Sequence, residues 1–223
     1  MSTYDQTRAR LATYFDQTAA ETWERLTSDA PVSRIRQTVR AGRDRMREAL
    51  LSTLLTDLRG ARILDAGCGA GQMARELAGR GADVLADDIS PALITVAERR
   101  TDARLAGRIT WQAGDMLDPA LGRFDYVIAM DSLIHYRTAD IAGALDHLAA
   151  RTDEHVAFTV APKTPLLQAM WYAGQLFPRS DRSPAIQPQS PSRLAKAVPD
   201  LEIIERERIN SGFYISQAMV AVP

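Results

Sequence analysis

The chain has 223 residues, 46% hydrophobic and 25% charged, and its 27 basic and 28 acidic side chains leave a net charge of −1. That length suits one α/β core with a small appendage, and the balanced charge gives no general electrostatic case for nucleic acid. The single cysteine, Cys68, excludes an intrachain disulfide and fits a reducing compartment. Without an apolar leader or a bilayer-length apolar run, the expected location is cytoplasmic, with peripheral membrane attachment left open.

Residues 4–58 read as helices, with Asp16 or Thr18 as a cap and Pro31 in the first turn of a second helix. In that helix Ile35, Val39, Met46 and Leu50 recur at helical spacing and predict a buried face. Six arginines and one acid lie between Arg34 and Arg47, and Arg36, Arg40, Arg43 and Arg47 form a stripe beside the apolar face. The stripe is either a solvated flank or a basic lid over an anionic ligand.

From Ala61 strands and helices alternate. ARILDAG is a strand, GQMARELAGRG a helix closed by Gly79 or Gly81, and ADVLADDIS a strand. Pro91–Arg100 is a helix capped by Ser90, RITWQAGD and FDYVIAMDSLI are strands, ADIAGALDHLAAR is a helix and HVAFTVAP a strand. Leu166–Phe177 reads as an apolar helix, PRSDRSPAIQPQSP as a long loop and Pro191–Ala197 as a helix. LEIIERERI and FYISQAMVAV follow with no helix between them, as two antiparallel strands at a sheet edge, the first a solvated one. The expected architecture is α/β: a Rossmann-like doubly wound sheet of seven strands with an antiparallel edge hairpin over residues 59–223, behind a helical cap or lid over residues 1–58.

The chemistry concentrates at three strand ends. Asp65-Ala-Gly67-Cys-Gly69-Ala-Gly71 joins a first strand to a first helix, where glycines admit positive φ and close approach of a ligand to the backbone. Its G-x-G-x-G spacing departs from the G-x-G-x-x-G of dinucleotide enzymes. Asp88 ends the second strand, where a carboxylate can accept both hydroxyls of a ribose. Asp115 ends the third and offers an acceptor for an adenine amino group, with Met116 against the ring. Each alone is equally a turn residue; together, in order, they point to one ligand at the carboxyl edge of the sheet.

These motifs, DAGCGAG, DDIS and GDM, resemble those of the class I methyltransferases over roughly Gly60 to Ala161. The resemblance implies S-adenosylmethionine as cofactor, held by Asp65, Gly67, Gly69, Gly71, Asp88, Ile89, Asp115, Met116 and Met130. A narrower resemblance covers nearly the whole chain. YFDQTAAETWERL, IRQTVRAGRDRM, LIHY, APKTPLL and SGFYIS are similar to segments of the magnesium-protoporphyrin O-methyltransferase family. It implies esterification of a propionate of magnesium protoporphyrin IX in chlorophyll or bacteriochlorophyll synthesis. The magnesium arrives with the substrate, and no His/Cys/acid cluster has metal-ligand spacing.

That resemblance gives His135 the catalytic role, orienting the carboxylate or taking a residual proton. Acceptor contacts are expected at Tyr14, Arg40, Arg43, Asp131, Tyr136 and Tyr214. The family's tyrosine soon after the cap tryptophan is absent: Thr27 follows Trp23 here, so that role does not transfer, and Tyr14, Tyr136 and Tyr214 are the candidate substitutes. His147, His155 and Cys68 read as structural. The porphyrin-delivering subunit of magnesium chelatase and the surface of a photosynthetic membrane are the implied partners. Three other readings stay open: a methyltransferase for another small hydrophobic acid or phenol, a catalytically silent cofactor-binding partner, and a nicotinamide oxidoreductase.

Overall fold

The computed structural model describes residues 2–16, 33–163 and 185–223. The expectations placed on Thr18, Trp23, Thr27, Pro31, the helix at Leu166–Phe177 and the first part of the proline- and serine-rich loop lie outside these residues.

Among the described residues two N-terminal helices, α1 (Thr3–Tyr14) and α2 (Arg34–Leu51), precede the sheet. Then come β1 (Arg62–Ala66), α3 (Gln72–Gly79), β2 (Asp83–Asp88), α4 (Pro91–Arg99), α5 (Ala103–Ala106), β3 (Ile109–Ala113) and β4 (Phe124–Ala129). After them follow α6 (Thr138–Ala149), β5 (Thr152–Val160), α7 (Pro191–Ala197), β6 (Glu202–Ser211) and β7 (Tyr214–Val222). The seven strands lie in the order β3-β2-β1-β4-β5-β7-β6. The first five pair parallel, β7 runs antiparallel to both its neighbours, and β6 is the edge. Among the described residues no helix is long and apolar enough to cross a membrane.

Alternation along each strand divides the core in two. Leu64, Leu85, Val127 and Phe158 face one cluster with α1, α6 and α7, while Ile63, Val84, Ile128 and Ala157 face another with α2 and α3. Both faces are covered, which is why the central strands read as continuous apolar runs. Ser90 caps α4 as expected, accepting from Leu93 N, with Pro91 in the first turn.

Two local expectations need correction. The strand read as FDYVIAMDSLI stops at Ala129: Asp131 takes a left-handed φ of 57° and its N–H turns to Thr159 Oγ1 (2.7 Å), so the chain leaves the sheet for a 3₁₀ turn at Leu133–His135. The helix that Asp16 was expected to cap lies outside the described residues; the Asp16 carboxylate accepts from Ala92 N (3.2 Å) and Ser90 Oγ (3.4 Å), at the start of α4. Ile35, expected on the buried face of α2, is 55% exposed. Thr38 rests on the β6–β7 turn at Gly212, and the first turn of α2 projects beyond it, whereas Met46 and Leu50 are fully buried.

Candidate functional site

The loop after β1 is bent by three glycines with positive φ, at 81°, 55° and 76° for Gly67, Gly69 and Gly71. They do different things. A Cβ on Gly67 would strike the Ser132 side chain (2.4 Å), and one on Gly71 would strike the Trp111 ring (2.3 Å). These two glycines let the loop pack. A Cβ on Gly69 would meet nothing within 4 Å, because that face of the loop opens on a cavity. The loop is tied to β2: Gly67 N and Cys68 N both donate to Asp87 O, and Gly69 N donates to Asp88 Oδ2 (2.8 Å).

The cavity encloses about 980 Å³, part of it open to solvent. Asp65, Asp87 and Asp88 contribute acid to its floor, with Ile89, Met116 and Met130 as apolar wall. Asp88 braces the loop, its other oxygen accepting from Ser90 N (2.9 Å), which leaves each oxygen room for one further donor. Asp65 is 2% exposed and its Oδ2 has no hydrogen-bond partner. Burial, reinforced by the nearby Asp88 carboxylate and eased by the Ala74 N–H, raises its pKa to about 7. Asp87 is equally buried, has an unpartnered Oδ1, and is also raised to about 7, first by burial and then by Asp88 and Asp115. A buried polar atom without a partner costs about 1–3 kcal/mol, so both floor acids await a donor.

Helices α1 and α2 and the exit of β4 form the roof. Leu11 and Phe15 from α1, Arg43 and Arg47 from α2, and Asp131, Ser132, His135 and Tyr136 all line the cavity. Arg43 is ion-paired with Asp131, whose carboxylate also accepts from Tyr214 Oη (3.0 Å). Arg47 is held by Glu76 and Asp44. Two of the four stripe arginines therefore face the ligand space, and the solvated-flank reading fails for them. Gly42 allows this approach, since a Cβ there would lie 2.6 Å from the Tyr214 ring. His135 is buried, its ring 6.1 Å from that of Phe15.

Matches to known families agree with this layout. A family model described as magnesium-protoporphyrin IX methyltransferase C-terminus matches residues 129–223, and a methyltransferase-domain model matches residues 63–154. The chain is 52% identical over 219 residues to a magnesium-protoporphyrin O-methyltransferase of Rhodobacter capsulatus, covering 98% of this chain and 97% of that protein. The chain belongs to the magnesium-protoporphyrin O-methyltransferase family. A chloroplastic magnesium protoporphyrin IX methyltransferase of Arabidopsis thaliana is 31% identical, over 94% of this chain and 69% of its own length. The crystal structure of magnesium protoporphyrin IX methyltransferase from Synechocystis PCC 6803 with bound S-adenosylhomocysteine superposes with a TM-score of 0.85. It is 28% identical and covers 97% of this chain and 99% of that one.

Most of the site residues expected from sequence meet at this cavity, and five do not. Gly71 faces Trp111 and is a packing glycine. Asp115 sits below α1, where Tyr4 Oη (2.7 Å) and Arg8 (3.2 Å) occupy its carboxylate. Tyr14 packs edge-on against Phe15, and Arg40 does not reach the cavity lining. Tyr214 stands one layer behind, on Asp131. Conversely, Leu11, Phe15, Arg47, Ser132 and Asp87 line the cavity without having been singled out as site residues. The only sequence signals were the i,i+4 spacing of Arg47 from Arg43 and the doubled acid Asp87-Asp88. His147 bonds Gly143 O and His155 approaches Thr53, both structural, and burial pushes the Cys68 thiol up, out of nucleophilic range.

Proposed function

We propose that the chain transfers a methyl group from S-adenosylmethionine to a propionate carboxylate of magnesium protoporphyrin IX. The product is the monomethyl ester, on the route to chlorophyll or bacteriochlorophyll. The observation that carries this reading is one cavity with a glycine loop and buried acids on its floor and His135 and Arg43 on its roof, in a member of this family. The floor fits the cofactor: Asp65 Oδ2 lacks a partner and suits the ammonium of the methionine end, Asp88 suits the ribose hydroxyls, and the space beside Gly69 admits close approach.

When bound, S-adenosylmethionine supplies an electrophilic methyl group on a positively charged sulfur. The acceptor carboxylate is already ionised at neutral pH, so the chain needs alignment more than a strong base. His135 lies beside that path, buried against Phe15, and its ring nitrogen holds the carboxylate or takes a residual proton. Arg43, fixed by Asp131, and Arg47 supply positive charge for an acidic acceptor. The reacting ions neutralise one another, so closure by Leu11 and Phe15, which keeps water out, favours the transfer. In this reading residues 1–58 are the lid of the domain formed by residues 59–223. Helix α1 is its movable part, and α2, anchored in the core by Met46 and Leu50, is its fixed post.

Incubation with S-adenosylmethionine and magnesium protoporphyrin IX, followed by mass analysis, tests the reading. A monomethyl ester is expected, and unmodified porphyrin after prolonged incubation would overturn it. The proposal extends to delivery of the sparingly soluble acceptor by the porphyrin-carrying subunit of magnesium chelatase, and to peripheral contact with an anionic photosynthetic membrane. Ile35 and Phe213 are exposed on either side of the Thr38–Gly212 contact, with Arg34 and Arg36 beside Ile35, and suit such a surface. Flotation with anionic vesicles, abolished in Ile35→Asp/Phe213→Asp, checks the contact; flotation unchanged in that variant would exclude it.

A further inference from the structure

Two groups of the roof hang on one short turn. Asp131 takes its left-handed φ just after β4, and His135 ends the 3₁₀ turn that follows. Both line the cavity, as does Arg43 of α2, ion-paired with Asp131. Three hydrogen bonds hold Asp131 in place: its N–H donates to Thr159 Oγ1 (2.7 Å), the Thr159 hydroxyl donates to Asp131 Oδ1 (3.3 Å), and Tyr214 Oη donates to the same oxygen (3.0 Å). Thr159 is fully buried, and α2 packs so closely that a Cβ on Gly42 would lie 2.6 Å from the Tyr214 ring. The spacing between Arg43 and His135 is therefore set jointly by β4, β5, β7 and α2.

We propose that Arg43 binds the propionate that is not methylated, with Asp131 and Tyr214 as positioning residues for that contact. The proposal rests on the acceptor reading above and divides the work between the two propionates of magnesium protoporphyrin IX. The reacting carboxylate loses its charge as the ester forms. A guanidinium bound to it would stabilise the ground state more than the transition state and slow the transfer. The other propionate keeps its charge throughout, so a cation there strengthens binding without that cost. Asp65, Asp87, Asp88 and Asp131 line the same cavity, so a second carboxylate needs positive charge to enter it. Of the two arginines among the described lining residues, Arg47 is paired with two acids, Glu76 and Asp44. Asp131 instead divides its charge between Arg43 and Tyr214 Oη, which leaves more of the guanidinium's charge for the cavity. Burial, then the Asp131 charge, push the Tyr214 phenol above its usual range and keep it a donor. The planar fork of a guanidinium carries five N–H donors and can hold two carboxylates at once. Two fixed points orient the acceptor: one propionate at Arg43, the other beside His135. A monoester turned round would set its neutral ester against Arg43, so the reaction stops after one methyl group.

The test compares magnesium protoporphyrin IX with its monoamide, in which the propionate left free in the product is a neutral carboxamide. Binding is read by porphyrin fluorescence with S-adenosylhomocysteine present, and ester formation by mass with S-adenosylmethionine. The wild type should bind the diacid at least about tenfold more tightly than the monoamide, the scale of one charge-assisted hydrogen bond. Arg43→Gln should bind the two acceptors alike, by losing affinity for the diacid alone, and should place methyl groups on both propionates. Tyr214→Phe, which removes only the hydroxyl, should lower the preference for the diacid by about threefold and leave S-adenosylhomocysteine affinity unchanged. Equal affinity of the wild type for both acceptors would overturn the assignment without any variant. So would an equal loss of both acceptors in Arg43→Gln, which marks a structural role or a contact with the reacting carboxylate. Failure of the wild type to methylate magnesium protoporphyrin IX at all would instead bring down the acceptor reading and this assignment together.

Discussion

The sheet edge that floors the cavity and the helices that roof it hold their charges in different conditions. On the floor, Asp65 and Asp87 are buried, each with one oxygen unpartnered, and both carboxyls are raised to about 7. On the roof, Arg43 is paired with Asp131, Arg47 with Glu76 and Asp44, and Tyr4 and Arg8 with Asp115. A floor with unmet acceptors gains free energy when a ligand with donors arrives. On the roof the charged groups are already paired within the protein, although Ser132 Oγ is buried without a partner. The sheet edge thus holds unmet acceptors, and the helices laid over it hold charges already paired.

The largest expected effect lies where floor and roof meet. His135→Ala should lower kcat by about 10²-fold or more while S-adenosylhomocysteine affinity, read by calorimetry, changes little; a kcat within threefold of wild type would remove the catalytic role. On the floor, Asp88→Ala should weaken cofactor binding by about 1.5–3 kcal/mol, the range for hydrogen bonds to a charged group. Unchanged affinity in a folded variant would reassign the ribose site.

A third measurement isolates the floor's unmet charge. A carboxyl raised in the folded state binds its proton more tightly there than when unfolded, so the stability it adds is full below about pH 4 and is lost as pH rises through about 7. Between pH 5.5 and 7.5, ligand-free wild type should lose about 2 kcal/mol through Asp87 alone. Asp87→Asn should make that part of the profile shallower, leaving the slope that the similarly raised Asp65 contributes, measured by denaturant unfolding at each pH. The same slope in the variant would show that Asp87 titrates normally.

The smallest effect belongs to the roof. Tyr4→Phe removes one hydrogen bond to Asp115, which keeps Arg8 and Leu117 N, and should loosen α1 by about 1 kcal/mol. Faster hydrogen exchange over residues 3–14 with unaltered cofactor affinity is the expected readout. If exchange stayed the same and affinity fell, Asp115 would belong to the floor after all.

Much of the floor was legible because it is local in sequence. Asp65 and the glycines lie within seven residues, Asp88 directly precedes Ile89 and the Ser90 cap, and strand-and-helix alternation fixes which ends meet. The roof was not legible in the same way. The arginine stripe has a period but no direction, and what turned Arg43 and Arg47 inward was α2 docking on the β6–β7 hairpin, through Gly42 against Tyr214 and Thr38 against Gly212. Asp115 looked equivalent to Asp88 by position at a strand end. The difference came from α1, more than a hundred residues away, whose Tyr4 and Arg8 claimed it.

By itself the sequence determined the doubly wound sheet, the antiparallel final pair, the glycine loop and the acids at successive strand ends. Periodicity, glycine and chain order are properties of neighbours, and these features need nothing else. Tertiary structure alone decided which of those acids stay unpaired, since a carboxylate's partners arrive from β3, α1, α2 or β7, far along the chain. It also decided that β4 ends at Ala129: the left-handed turn at Asp131 depends on Thr159 of the adjacent β5 to take its N–H, and that turn sets His135 at the cavity's edge.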